Sequence, residues 1–162
     1  MEGIHQFGLG NSELDSFSGL PTWHTSNNLV PHTRGADPNL PMAIAHSYSL
    51  TYAGNELRIF FWDQDERKIR QAWWANGAWN GLLKDKYWDV PKGPGRAMDS
   101  ICWFDVYEGV GWSCFYSDAT GKLFELSCGP VSGPWTSAEV ADIGAESYIQ
   151  AFAKWEQGIH II

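Results

Sequence analysis

Cysteine is scarce in this sequence: Cys102, Cys114 and Cys128 are the only three among 162 residues. An odd number with no Cys-x-x-Cys pair argues against a disulfide framework and against a thiolate zinc site. Basic residues are scarce too. Lys and Arg total 11 against 19 Asp and Glu, a formal net charge of −8. They do not cluster, so the cationic footprint of a nucleic-acid binder is missing, and with it the basic patch that holds a protein to an anionic membrane surface. No apolar run approaches the roughly 20 residues of a spanning helix. The opening Met1-Glu2-Gly3-Ile4-His5 has neither the basic stretch nor the apolar stretch of a secretory leader. The expectation is a reduced, cytoplasmic chain, with non-classical export as the alternative. The five histidines, His5, His24, His32, His46 and His160, lack metal-ligand spacing. Asp63-Gln64-Asp65-Glu66 lacks the length and glycine of a calcium loop. Phosphate-binding, dinucleotide-binding and nucleophile-elbow motifs are missing as well. No metal, cofactor or catalytic residue is expected.

What the chain has is tryptophan, 10 of them. An indole carries an N–H that wants a partner when buried, so such a surplus suggests ligand-stacking surfaces as well as core. Three recur in one context: Pro21-Thr22-Trp23-His24-Thr25-Ser26, Gly77-Ala78-Trp79-Asn80-Gly81 and Gly133-Pro134-Trp135-Thr136-Ser137. Trp23, Trp79 and Trp135 stand 56 residues apart, twice over. Equal spacing of a rare residue between Gly and Pro punctuation marks an internal repeat.

Each Trp follows a predicted hairpin. Leu57–Trp62 turns through residues 63–67 into Lys68–Trp74. Trp112–Ser117 turns through Asp118-Ala119-Thr120-Gly121 into Lys122–Cys128. Gly3–Gly8 is read as turning through Gly10-Asn11 into Glu13–Ser18. A further apolar strand precedes two of these, Met42–Tyr48 and Ser100–Phe104, and a third, Tyr148–Ala153, stands alone near the C-terminus. Residues 27–41 and 84–96 read as loops, and Ala138–Ser147 offers at most one helical turn. The fold expected is all-β: a β-propeller of about three four-stranded blades per chain. Two whole blades span 40–83 and 97–139. A split blade joins residues 145–162, with its first strand at 147–153, to residues 1–30. Gly158–Ile162 looks like a second strand, in competition with Gly3–Phe7. Propellers need at least about four blades, so the ring is expected to close by homo-oligomerisation, two chains giving six blades.

The repeat resembles that of the fucose-specific lectin family, six-bladed propellers. The resemblance rests on Leu57-Arg58-Ile59-Phe60-Phe61, Lys68-Ile69-Arg70-Gln71 and Gly77-Ala78-Trp79-Asn80-Gly81. It implies inter-blade pockets in which an Arg of the second strand and a Glu of the third bind sugar hydroxyls while an aromatic ring stacks on the pyranose. Carried over, the second repeat offers Arg58, Gln71 and Trp79. The third offers Glu125 and Trp135, with Ser113 at the Arg position. The first offers Asp15 and Trp23, with His5 or Ile4 at the Arg position; His160 is another candidate for it. No repeat holds both the Arg and the Glu.

The chemistry stands without the family. Arg presents several rigid donors, a carboxylate or amide accepts hydroxyl protons, and an aromatic face covers the C–H patch of a sugar. Against this, Arg58 reads equally as a surface ion-pair partner of Asp63 or Asp65, and the three repeated Trp as inter-blade packing. The function expected is a multivalent, non-enzymatic lectin for fucose-like or related sugars. The alternative is an enzyme on the same ring, folding a hydrophobic small molecule for cyclisation by shape.

Overall fold

The computed structural model describes residues 5–14, 21–29, 36–49, 54–63, 67–75, 78–80, 87–90, 92–105, 109–129, 134–154 and 158–162, with backbone alone for 5–14, 21–29, 48–49, 54–55, 78, 80, 87, 105, 154 and 158. All regular structure among them is antiparallel β. β1 (His5–Leu14) pairs with β2 (Pro21–Leu29). β3 (Met42–Ser49), β4 (Gly54–Asp63) and β5 (Lys68–Ala75) form a meander whose outer edge is filled by two short strands on β5, β6 (Ala78–Asn80) and β7 (Tyr87–Asp89). β8 (Pro94–Asp105), β9 (Gly109–Asp118), β10 (Lys122–Cys128) and β11 (Thr136–Asp142) form a second meander in that order. β12 (Ala151–Lys154) pairs with β13 (Gly158–Ile161).

Strand alternation fixes which side chains share a face. In β4, Arg58, Phe60 and Trp62 point one way and Leu57, Ile59 and Phe61 the other. Ile59, Phe60, Phe61 and Trp62 are all buried, so this sheet is covered on both faces. One face, with Ala43, Phe60, Trp62 and Ile69, packs on Met98, Cys114, Tyr116 and Leu126 of the β8–β11 sheet. The far face of that second sheet packs Phe115 and Leu123 on Ala151, Ile149, Ile159 and Ile161 of the β12–β13 hairpin. The innermost strands are neighbours as well: the Cys102 thiol of β8 donates to the His46 carbonyl of β3 at 2.8 Å, and Asp99 of β8 accepts from the Ala151 amide of β12 at 2.7 Å. β11 is exposed along its whole length, as an outermost strand should be. Successive meanders stacked face to face, inner strands together and outer strands in solvent, are the blades of a β-propeller. The ring is not closed within the chain: β1–β2 and β12–β13 remain separate two-stranded sheets.

Three local expectations are corrected. Residues 5–14 form one strand, not a hairpin. Gly10 and Asn11 lie inside β1, where five steps from Leu9 to Leu14 face two steps from Trp23 to Pro21. Glycine here marks a bulge, a role it shares with turns. Part of the 84–96 segment is strand. β7 completes the outer edge of β5, and β8 begins at Pro94, with a register shift before Met98 that lets the Ala97 amide donate to Ser117 Oγ at 3.1 Å. Ala138–Asp142 is strand too, because its backbone is recruited by β10 across from Lys122–Glu125.

Candidate functional site

The gap between the β3–β7 and β8–β11 sheets brings polar and aromatic side chains together. Arg58 lies on the β4 face turned into it. The cross-strand neighbour of Arg58 on β3 is Ala45, small enough to leave the guanidinium room. Its Nη2 donates to Glu56 Oε2 at 3.2 Å. Its guanidinium carbon lies 4.4 Å from the Trp112 ring centroid and 5.7 Å from that of Trp135. One ring comes from β9 and the other from the residue just before β11, so the cation is held against two indoles across the gap. Burial lowers the Arg58 pKa, and Glu56 opposes that shift; arginine remains cationic regardless. Trp135 is also edge-on to Phe60 at 5.7 Å and to Trp88 at 5.2 Å.

Gln71 sits directly across from Phe60, on the Arg58 face of the sheet. It is 2% exposed, and neither its amide nitrogen nor its amide oxygen has a protein partner; Arg58 Nε is in the same state. A buried polar group left in that condition costs about 1–3 kcal/mol. Evolved cores avoid such a cost unless the group has another use.

The next gap, between the β8–β11 sheet and the β12–β13 hairpin, is built from equivalent positions with different side chains. Register makes the correspondence: Phe60 opposes Gln71 as Phe115 opposes Glu125, so Ser113 stands in the place of Arg58, Gly111 in that of Glu56 and Trp103 in that of Ser47. Trp103 lies across Gly111, where a Cβ would overlap the indole. Its Nε1 donates to Ser113 Oγ at 3.2 Å, and Ser113 Oγ donates to Glu125 Oε1 at 2.7 Å.

The candidate residues are therefore distributed by face. Arg58, Gln71 and Trp135 share one gap. Trp79 is turned to the opposite face of its sheet, against Ile59, Phe61 and Ala72. Glu125 faces the β12–β13 hairpin. Of Trp23 only the backbone is described, opposite Leu9, and Asp15 lies outside the described residues. Arg58 pairs with Glu56 rather than with Asp63, which Arg70 holds at 2.6 Å. Trp103, Trp112 and Glu56 were not singled out from the sequence. Trp112 has no repeat signature because its counterpart in the other sheet is Leu57. For Trp103 the usable signal was a glycine across the hairpin.

A separate cavity of about 310 Å³ opens farther along the first gap. Asp89, Val90 and Lys92 line one side, and the stacked Tyr116–Phe124 pair with Lys122 and Glu139 lines the other. Lys122 and Glu139 are paired at 2.7 Å. Among the described residues no three His, Cys, Asp or Glu side chains converge as a metal site would require.

No protein-family model and no curated relative matches the sequence. Solved structures do match the fold. AofleA from Arthrobotrys oligospora superposes with a TM-score of 0.67 at 10% identity, over 98% of this chain and 42% of that one. A fucose lectin from Kordia zhangzhouensis, solved with methyl-fucoside, gives 0.53 at 12% identity over 85% and 90% of the two chains. Aleuria aurantia lectin with α-methyl-L-fucoside gives 0.51 at 16% identity over 87% and 48%. The chain spans about two-fifths of AofleA and about half of the Aleuria lectin. In fold, this chain is a β-propeller of the kind seen in the fucose lectins.

Proposed function

We propose that the chain is a carbohydrate-binding, non-enzymatic lectin whose ligands lodge between neighbouring blades. The observation that carries the reading is the Arg58 gap. A guanidinium held over two indoles stands on the same face as a buried glutamine whose amide has no protein partner. A vicinal diol suits that amide, one hydroxyl donating to Oε1 and the next accepting from Nε2, while an indole face receives the sugar's C–H patch. The fold supports this, since structures that share it were solved with fucosides. Fucose-like monosaccharides are the ligands to test first.

The working form is a homo-oligomer in which a second chain completes the split blade. Tyr148, Phe152 and Ile162 are 73%, 41% and 74% exposed beside the β12–β13 hairpin, and Met42 and Ile44 of β3 are 49% and 51% exposed. These exposed apolar side chains are the surfaces that a second chain would bury. Two chains would place six blades in one ring and repeat each weak site, gaining avidity. The cyclisation alternative finds less support, because the 310 Å³ cavity is lined by lysines and carboxylates as well as by rings. A glycan array followed by isothermal titration tests the reading. Saturable monosaccharide binding that Arg58→Ala weakens is expected; silence across a broad panel would overturn it.

A further inference from the structure

The two inter-blade gaps have the same backbone register and opposite polar chemistry. In the first, Arg58, paired with Glu56, and the donor–acceptor amide of Gln71 lie on the face turned into the gap. In the second there is no cation at the equivalent position. A carboxylate, Glu125, takes the place of Gln71, and among the described residues its side-chain donor is an internal one: the Trp103 N–H feeds Ser113, and Ser113 feeds one carboxylate oxygen. The arrangement depends on Gly111, because any larger residue there would meet the indole. The indole thus occupies, from the inner strand, the space that the Arg58–Glu56 pair fills in the other gap.

We propose that Trp103 is the specificity-determining residue of the Glu125 gap, and that this gap takes a neutral, hydroxyl-rich sugar while refusing a carboxylated one. The proposal rests on the carbohydrate reading above. Two properties follow from the geometry. The Ser113 bond orients the carboxylate and leaves Oε2 to accept from ligand hydroxyls, and the Trp103 face supplies the apolar platform that no arginine interrupts. An anionic sugar would meet a carboxylate with no cation opposite, an unscreened like-charge contact in a partly buried space. In the Arg58 gap the carboxylate present, Glu56, is already paired with Arg58, which lessens that penalty, so the ring would carry two kinds of site rather than copies of one.

The test is calorimetric titration of methyl α-L-fucoside and methyl β-D-glucuronide into the full-length protein, in wild-type and Arg58→Ala backgrounds. Arg58→Ala should keep fucoside binding at the second gap and bind no glucuronide. Adding Trp103→Phe, which keeps a ring and removes the N–H donated to Ser113, should weaken the remaining fucoside binding about fivefold, the scale of one neutral hydrogen bond. Ser113→Ala, which keeps both the indole and the carboxylate, should do likewise, and stands in if the phenylalanine variant does not fold. Full fucoside affinity in both double variants, glucuronide binding in Arg58→Ala, or loss of all binding in Arg58→Ala would each overturn the assignment. A wild-type protein that binds a sugar of the broad panel but not the fucoside overturns this assignment alone; silence across the whole panel overturns the carbohydrate reading itself.

Discussion

Arg58 has neighbours of different kinds: a carboxylate on its own strand and two indoles from the next blade. Lysine matches the charge but not the plane, so Arg58→Lys should lose the stacked geometry and with it most of the ligand affinity. Arg58→Ala should also lower stability by about 1–2 kcal/mol, the scale of a partly desolvated cation–π contact, measured by urea denaturation. Gln71 behaves in the opposite sense. Its amide is buried without a protein partner, so Gln71→Met should hold or raise the melting temperature while abolishing binding in the Arg58 gap. A substitution that stabilises and inactivates together would mark a residue kept for a ligand; a clear fall in melting temperature would mark a structural one. Arg58's face was legible from alternation alone. Its aromatic partners were not, because Trp112 and Trp135 arrive from the following repeat, and spacing within one repeat does not record what the next one presents to it.

At the level of strands and turns, the β9–β10 hairpin shows how local chemistry sets register. Asp118 Oδ1 accepts from the Thr120 amide, the Thr120 hydroxyl and the Lys122 amide at 2.8, 2.6 and 3.1 Å. Gly121 closes the turn at a φ of +88°. Burial works against the Asp118 charge, but the bonds from Thr120 and Lys122 outweigh it, and its pKa falls below the ordinary value. A depressed carboxylate pKa contributes stability that is present above the unfolded-state value of about 3.9 and is lost as pH drops through the lower folded value. Thermal unfolding scans should therefore show an acid-side decline below about pH 4 that is shallower in Asp118→Asn. Gly121→Ala should destabilise by more than about 1 kcal/mol, since the residue sits at positive φ and a Cβ would meet the Gly144 backbone. This hairpin and the 57–74 one were readable because apolar alternation and turn residues agree. The 3–18 segment misled because glycine serves bulges and turns alike, and 138–147 because an exposed outer strand carries no alternation to read.

At the scale of the whole molecule, two complete blades and two half-sheets do not make a ring by themselves. The expected mass in solution is twice the 18.2 kDa of one chain. Ile44→Asp and Phe152→Asp, each aimed at one exposed apolar face, should shift sedimentation toward the single chain. A wild-type protein that sediments as a monomer at high concentration would remove the dimer.

All three cysteines lie on the face of the β8–β11 sheet that meets the β3–β7 sheet. Cys102 and Cys128 flank Trp112 in one row, and Cys114 sits one row away. Cys114 is fully buried, and burial raises its thiol pKa; Cys102 is half-buried and shifted the same way. Protonated thiols are poor nucleophiles, so alkylating reagents should find Cys114, which is fully buried, only when the two blades part. The rate of native-state thiol labelling would then time the breathing of the Arg58 gap, with no probe attached, and ligand should slow that clock.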